Sequence, residues 1–164
     1  MNIVLHQPEI PQNTGNIGRT CVATNTALHL IRPLGFDTSD KSLKRAGMDY
    51  WKDLEVHYYD NFDEFVAAHP NARIIMATTK ARQTYDSIDY KDDDFIMFGS
   101  EGSGIPEEIL LRYKQNCVRI PMIGEYRSLN LSNSVAIVLY EALRQQGFEG
   151  FVTQGELHHH NWSE

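Results

Sequence analysis

The 164 residues amount to one domain's worth of chain, long enough to bury a hydrophobic core without disulfides. Hydrophobic residues make up 41% and charged residues 23%, which is typical of a soluble globular protein, and no apolar run approaches the length of a membrane span. The net charge of −7 argues against a general nucleic-acid binder, although basic residues gathered at 41–45 and 80–82 leave room for a local basic face.

The two cysteines, Cys21 and Cys117, are too far apart to suggest a metal site and too few to form a disulfide framework. Free thiols of this kind are typical of a reducing cytosol. The first residues of the chain have the pattern of a β-strand and not of a signal peptide. We therefore expect a cytoplasmic protein that needs no metal.

Short apolar runs separated by turn residues predict an α/β fold. Strands are predicted at Asn2–His6, Ala27–Ile31, Val56–Tyr59, Arg73–Thr78, Phe95–Phe98 and Cys117–Ile120. Helices are predicted from a cap at Asn13 or Thr14 to about Asn25, from Ser39 or Asp40 through Ala46, and at Phe62–Ala68, Pro106–Lys114 and Leu131–Gln146. This alternation indicates a mostly parallel sheet covered by helices on both faces. We expect one domain, residues 1–150, followed by a loose tail, residues 151–164, that includes His158–His160.

A glycine-rich loop, Phe98-Gly99-Ser100-Glu101-Gly102-Ser103-Gly104-Ile105-Pro106, follows one predicted strand and precedes a helix. Ligands in open α/β sheets bind at the carboxyl ends of the strands, where this loop begins. Glycines let the backbone approach a ligand closely or adopt positive φ. The loop lacks the lysine of a nucleotide-binding P-loop, so its spacing leaves two alternatives, a ligand loop or a flexible turn.

A polar segment, Ser128-Leu129-Asn130-Leu131-Ser132-Asn133, leads directly into the most apolar helix of the chain. One of Asn130, Ser132 or Asn133 is expected to cap that helix. The segment has more polar residues than one cap needs, so a ligand or a turn folded back on itself should supply the remaining partners. The helix is apolar enough to require burial by the core or by a second subunit.

The first helix begins with Asn13-Thr14-Gly15-Asn16-Ile17-Gly18-Arg19-Thr20, and two glycines so early cost it roughly 1 kcal/mol each. This cost is reasonable if another backbone or an RNA phosphate must come close. Arg19 projects from this helix, and an isolated surface arginine is the ordinary alternative to a functional role.

Taken together, these three segments resemble the sequence motifs of the SPOUT superfamily of RNA methyltransferases, the α/β-knot proteins. The resemblance extends to about Gly150 and is closest to the single-domain tRNA (cytidine/uridine-34)-2′-O-methyltransferases. It is carried by Asn13-x5-Arg19-Thr20, by the glycine loop, and by Ile120-Pro121-Met122 with Ser128–Ser132. Further matches are Pro8–Pro11, Arg45–Tyr50, Thr78–Lys80 and Arg127–Asn133.

The resemblance implies a C-terminal trefoil knot, S-adenosylmethionine as cofactor, a tRNA anticodon stem-loop as substrate, and a homodimer formed through the first and last helices. The implied cofactor-binding residues are Ala77, Thr78, Gly99, Glu101, Gly102, Ile120, Met122, Ser128 and Leu129. The implied catalytic residues are Arg19, Ser128, Asn130 and Tyr140, with Tyr140 supporting the site from the last helix. RNA contacts are expected at Asn13, Arg19, Lys41, Lys44, Arg45, Lys80 and Arg82.

Arg19 matches a family arginine that is often assigned as the base. A guanidinium group has a pKa above 12 and no acceptor when charged, so we interpret Arg19 as a clamp on the neighbouring phosphate that also stabilises the developing alkoxide.

Other functions remain open from the sequence alone. The enzyme could act on another tRNA position or on ribosomal RNA, and a non-catalytic RNA-binding module is the alternative from a different class. A pure binder needs neither the glycine loop nor the polar segment before the last helix. A nucleotide hydrolase would need a lysine and metal ligands that the motifs lack.

Overall fold

A computed structural model describes residues 1–39, 49–124 and 128–163. Its single sheet has seven strands in the order β3-β2-β1-β6-β4-β7-β5, and every neighbouring pair is parallel. The strands are β1 Asn2–His6, β2 Ala27–Ile31, β3 Val56–Tyr59, β4 Ile74–Ala77, β5 Gln83–Thr84, β6 Phe95–Phe98 and β7 Cys117–Arg119. The predicted α/β architecture with a mostly parallel sheet is therefore confirmed.

Within the described residues, four α-helices pack on the two faces of this sheet. They are α1 Pro11–Ala23, α2 Phe62–Ala68, α3 Glu107–Arg112 and α4 Leu131–Gln145. Two short 3-10 helices, Asp49–Asp53 and Lys114–Asn116, were not predicted, and neither was the two-residue strand β5. The predicted basic helix between residues 40 and 46 lies outside the described residues, as do Lys41, Lys44 and Arg45. None of the helices in the described ranges has the length and hydropathy needed to cross a membrane.

The alternation of side chains along the strands divides the core between the two faces. Ile3 and Leu5 of β1 belong to a buried cluster that also contains Ile17 of α1 and Val135 of α4. Val4 belongs to a second cluster with α2 and α3. Each fully buried aliphatic side chain of this kind contributes about 1.5–3 kcal/mol. α1 and α4 therefore lie together on one face, where they flank the carboxyl edge of the sheet.

The start of α1 differs from the prediction. The helix begins at Pro11 with Ile10 as its N-cap, and no side chain of its own caps it. Asn13 and Thr14, the predicted caps, lie inside the helix and are 6% and 0% exposed. The proline fixes φ at the first helical position, and a distant carboxylate, described below, satisfies the neighbouring N–H groups. The end of the last helix agrees with the prediction, because Gly147 follows it with a φ of 70°.

A chain of hydrogen bonds links β1, β2 and β3 to the residue after α2, on the face of the sheet that α2 covers. The His29 ring is 3% exposed, with Nδ1 2.9 Å from the Tyr59 hydroxyl and Nε2 3.3 Å from Asn2 Oδ1. The Tyr59 hydroxyl is also 2.8 Å from His69 Nε2. Asn2 presents an acceptor, so His29 carries its hydrogen on Nε2 and accepts from Tyr59 at Nδ1. In this arrangement the neutral His29 ring makes both of its hydrogen bonds, and burial of the ring opposes its protonation.

This histidine predicts an acid-sensitive fold. Burial, with smaller effects of His57 and His69, lowers the pKa of His29 to about 3. The unfolded chain binds the proton near pH 6.5, so the stabilisation is complete above that pH and is lost as pH falls toward 3. We expect the free energy of unfolding to drop by about 3 kcal/mol between pH 6.5 and pH 4 through this group. Urea titrations of wild type and His29→Gln should show a flatter acid slope in the variant, whereas His158→Gln in the exposed tail should leave the slope unchanged.

Candidate active site

One cavity of about 640 Å³ opens at the carboxyl edge of the sheet, beyond the ends of β4, β6 and β7. This is the position at which open parallel sheets bind ligands, and the size suits a small molecule. All nine residues predicted to bind the cofactor line it, namely Ala77, Thr78, Gly99, Glu101, Gly102, Ile120, Met122, Ser128 and Leu129. Their roles toward a ligand remain a prediction, but the structure brings them together.

The glycine loop folds against its own backbone. A Cβ atom on Gly99 would lie 2.0 Å from the carbonyl carbon of Gly104 and 2.2 Å from the nitrogen of Ile105. Ser100 and Gly104 form an antiparallel bridge across the loop, and Gly104 has a φ of 72°. Glycine at 99 and 104 is therefore required by the loop itself, and the loop presents backbone groups to the cavity as a consequence.

Glu101 ties the glycine loop to the beginning of α1. Its carboxylate accepts hydrogen bonds from the backbone N–H groups of Glu9, at 2.8 Å, and Ile10, at 3.2 Å. It also accepts from Asn13 Nδ2 at 2.9 Å. A carboxylate at a helix N-terminus is favoured by the helix dipole as well as by these bonds. Glu101 therefore anchors the two residues that precede α1 and the Asn13 side chain in its first turn, which local sequence around Asn13 could not reveal.

Asn130 ties the third segment to the first. Its Oδ1 accepts from the backbone N–H groups of Ser132, at 2.9 Å, and Asn133, at 3.3 Å, so it caps α4 as predicted. Its Nδ2 donates to Asn13 Oδ1 at 3.0 Å. Asn13 thus lies between Glu101 and Asn130, and the three predicted motifs meet through one hydrogen-bonded chain.

The cavity combines an apolar interior with a polar rim. Val118 and Val138 are fully buried at its inner wall, where β7 and α4 meet. Thr78, Ser128 and the backbone of the glycine loop supply polar groups around it. Such a site suits a ligand that has a flat apolar ring together with polar ends.

Arg19 lies outside this cavity. It is exposed on α1 and has no ion-pair partner among residues 1–39, 49–124 and 128–163. Its charge acts on Tyr50: burial raises the pKa of the tyrosine, and Arg19 opposes that rise. Arg19 therefore does not contribute to the cavity lining of its own chain, and among the described residues no carboxylate neutralises it.

The glycines of α1 have a structural explanation. A Cβ on Gly18 would lie 3.2 Å from both Leu54 and the Trp51 ring, and the Tyr50 hydroxyl donates to the carbonyl oxygen of Gly15. The 3-10 helix Asp49–Asp53 thus packs directly on this part of α1. The close neighbours of Gly18 are side chains, so packing alone accounts for a glycine at this position without a backbone or an RNA phosphate.

Two other predicted site residues lie away from the cavity. Tyr140 is 44% exposed, and its ring centre is 6.4 Å from that of Phe148, which follows α4. Tyr140 is not among the residues that line the cavity, so its supporting role stays a prediction. Arg82 is exposed and also lies outside the lining, whereas Lys80 is on the cavity rim and forms a 3.0 Å ion pair with Glu107.

Several cavity residues were missed because their sequence signal was that of core or turn. Val118, Leu131 and Val138 have the apolar character of any buried strand or helix residue. Ser100 and Ser103 lie within the glycine loop, and their hydroxyl groups form a 2.8 Å hydrogen bond. Their position between the predicted glycines was the sequence signal that could have identified them.

Comparison with known proteins identifies the family. A family model described as SpoU rRNA Methylase family matches residues 1–140. The tRNA (cytidine(34)-2′-O)-methyltransferase of Methylovorus glucosotrophus is 47% identical over 152 residues, covering 92% of this chain and 99% of that protein.

Solved structures share the fold. One, described as giving structural insights into 2-OH methylation of C/U34 on tRNA, is 42% identical with a TM-score of 0.84, covering 90% of this chain and 97% of that one. An AdoMet-bound rRNA methyltransferase from Sinorhizobium meliloti is 27% identical with a TM-score of 0.76, covering 87% of this chain and 55% of that one. The chain therefore belongs to the SpoU rRNA methylase family, within the SPOUT superfamily that its three motifs resemble.

Proposed function

We propose that this protein is an S-adenosylmethionine-dependent methyltransferase that modifies the 2′-hydroxyl of the wobble nucleotide, cytidine or uridine 34, of tRNA, and that it works in the cytoplasm. The observation that carries the proposal is the convergence of the three motifs on one cavity in a chain that matches a tRNA (cytidine(34)-2′-O)-methyltransferase over 92% of its length. A solved relative concerned with C/U34 methylation supports the choice of position.

The residues of the cavity fit S-adenosylmethionine. Its volume of about 640 Å³ lies within the usual range for small-molecule sites, and Val118, Leu131 and Val138 offer an apolar surface to an adenine ring. The glycine loop and the segment from Ile120 to Met122 would hold the polar parts through backbone groups. A family member with AdoMet bound supports this cofactor. When bound, it supplies a methyl group that is already activated on a sulfonium.

The protein's own task is then to align the ribose oxygen and stabilise it as its proton leaves. Ser128 is exposed at the cavity rim, where it can orient the hydroxyl. The Oδ1 atom of Asn130 accepts the hydrogen bonds that cap α4. Its Nδ2 atom carries two hydrogens and has one partner among the described residues, Asn13, so the second hydrogen can be donated to a substrate oxygen. Alignment of this kind supplies several kcal/mol of the barrier reduction.

Arg19 would act as the clamp that the sequence suggests. A permanently charged guanidinium donates two parallel hydrogen bonds to a phosphate and stabilises a developing alkoxide, but it cannot take up a proton. Its exposure on α1 and its place outside the cavity support a site completed by a second subunit. We therefore propose a homodimer formed through α1 and α4, in which Arg19 of one chain approaches the cavity of the other.

We also propose a C-terminal trefoil knot, which the family resemblance implies. After β7, residues Ile120, Met122 and Ser128–Asn130 line the same cavity as the loops after β4 and β6, and α4 then packs beside α1. We propose that residues 1–150 form the catalytic domain. Residues 151–163 contain no helix or strand and would be a flexible tail.

RNA phosphates would contact Lys80 and Arg82, together with Lys41, Lys44 and Arg45 outside the described residues. Lys80 must first give up its exposed ion pair with Glu107, which costs little at a surface. Each phosphate neutralised adds about 0.7–0.9 to the slope of log affinity against log salt.

Isothermal titration calorimetry with S-adenosylmethionine separates an enzyme from a non-catalytic RNA binder. We expect one binding event per chain, weakened by Ala77→Phe, which places a ring in the cavity. Leu111→Phe, on the exposed side of α3, is the matched control and should bind like wild type. A wild-type protein that binds tRNA but gives no heat with the cofactor would overturn the methyltransferase proposal.

A further inference from the structure

The Asn13 side chain joins the two walls of the cavity. It is 6% exposed, and both of its polar atoms are engaged. Nδ2 donates to Glu101 Oε1 at 2.9 Å, and Oδ1 accepts from Asn130 Nδ2 at 3.0 Å. The sequence suggested that Asn13 contacts RNA, but these two bonds direct its side chain to the protein.

The direction of each bond in this chain is fixed. Asn130 must turn its oxygen toward Ser132 and Asn133 to cap α4, so it offers an N–H to Asn13. The Glu101 carboxylate, when ionised, only accepts. Asn13 must therefore accept on one side and donate on the other, which an amide does and a carboxylate or an aliphatic side chain does not.

The two partners of Asn13 hold different elements. Glu101 belongs to the glycine loop and binds the N–H groups of Glu9 and Ile10 at the start of α1. Asn130 starts α4 and lines the cavity. Asn13 itself lies on α1 six residues before Arg19, a rise of about 9 Å along the helix. Because both cavity walls are hydrogen-bonded to α1, a shift of either wall would change the position of the helix that carries Arg19.

We infer that Asn13 is a positioning residue: it sets the glycine loop and the start of α4 at the spacing the cofactor needs, and it couples that spacing to the orientation of α1 and Arg19. This inference rests on the proposed function, because it takes S-adenosylmethionine as the ligand of the cavity. If the inference is right, the affinity for the cofactor depends on which atoms at position 13 donate and accept hydrogen bonds, even in variants that fold as stably as wild type.

The test is calorimetric titration of S-adenosylmethionine from pH 5 to pH 8 with wild type and Asn13→Asp. The variant keeps the shape of the side chain but places a carboxylate against Glu101. Two carboxylates at this distance share a proton at low pH and repel at high pH. We expect the Kd of the variant to exceed that of wild type by at least about tenfold at pH 8, and the ratio to fall toward one near pH 5. Asn16→Asp, the same change at an exposed position one turn further along α1, should give a ratio near one throughout.

A second variant guards against a simple folding defect. Glu101→Gln alone turns its NH2 group toward another donor, either Asn13 Nδ2 or the backbone N–H of Glu9. Combined with Asn13→Asp, the NH2 group of Gln at 101 meets an acceptor at position 13. We expect the double variant to bind more tightly at pH 8 than either single variant. A pH-independent ratio without this rescue would overturn the inference. Wild type that fails to bind the cofactor at all would instead overturn the proposed function, so the two failures are distinguishable.

Discussion

Replacing Arg19 by lysine is expected to lower kcat for tRNA methylation by roughly 10²–10³-fold while leaving the affinity for S-adenosylmethionine unchanged. The charge is kept, but the planar fork that grips a phosphate with two hydrogen bonds is lost. Arg19 is outside the cavity and exposed, so its removal should not disturb cofactor binding. Single-turnover kinetics together with calorimetry would measure both quantities. A lysine variant that retains most of its activity would show that fork geometry is irrelevant.

The same residue tests whether the site is shared between subunits. Arg19→Ala has an intact cavity, and Ala77→Phe has an intact arginine, so each pure variant should be inactive. Random mixing of the two would form heterodimers with one complete site, and about a quarter of wild-type activity should return. The mixture stays inactive if Arg19 serves the cavity of its own chain.

The second large effect is expected from Gly99→Ala. The added Cβ would lie 2.0 Å from the backbone of Gly104, so the loop must open, and no flexible side chain can yield in its place. Overpacking against backbone costs about 1–3 kcal/mol or more, and we expect the free energy of unfolding to fall by at least this amount. Cofactor binding should be abolished, because the loop forms one wall of the cavity.

The matched control is Gly155→Ala in the tail. No atom lies within 4 Å of the Cβ that this change adds, so unfolding by urea should be unaltered. Gly99→Ala with wild-type stability and wild-type cofactor affinity would mean that the loop does not close on itself as described.

The centre of the sheet was predictable because β1, β2, β4 and β6 are short apolar runs that are buried on both faces. Phe95–Phe98 is one such case, and its predicted bounds agree with those of β6. The start of α1 was not predictable from local sequence, because the residues just before it are held by Glu101, about ninety residues further along the chain. The strand Gln83–Thr84 escaped for the opposite reason: two polar residues at the sheet edge have no hydrophobic pattern.

The candidate site was likewise predictable in part from the sequence. The glycines and the polar segment before α4 indicated a ligand site because such residues have few structural uses in that order. Sequence could not show that Asn13 is occupied by Glu101 and Asn130, since those bonds depend on three distant segments meeting. Helical spacing could not show whether Tyr140 reaches the cavity, and the last residue of α4 that lines it is Val138.

The most direct test of the proposed activity is incubation of the protein with unmodified total tRNA and isotopically labelled S-adenosylmethionine, followed by mass-spectrometric mapping of the methylated nucleoside. The account predicts label on the 2′-oxygen of cytidine or uridine at position 34 and at no other nucleotide. Label on a base, at another tRNA position, or only on ribosomal RNA would contradict it.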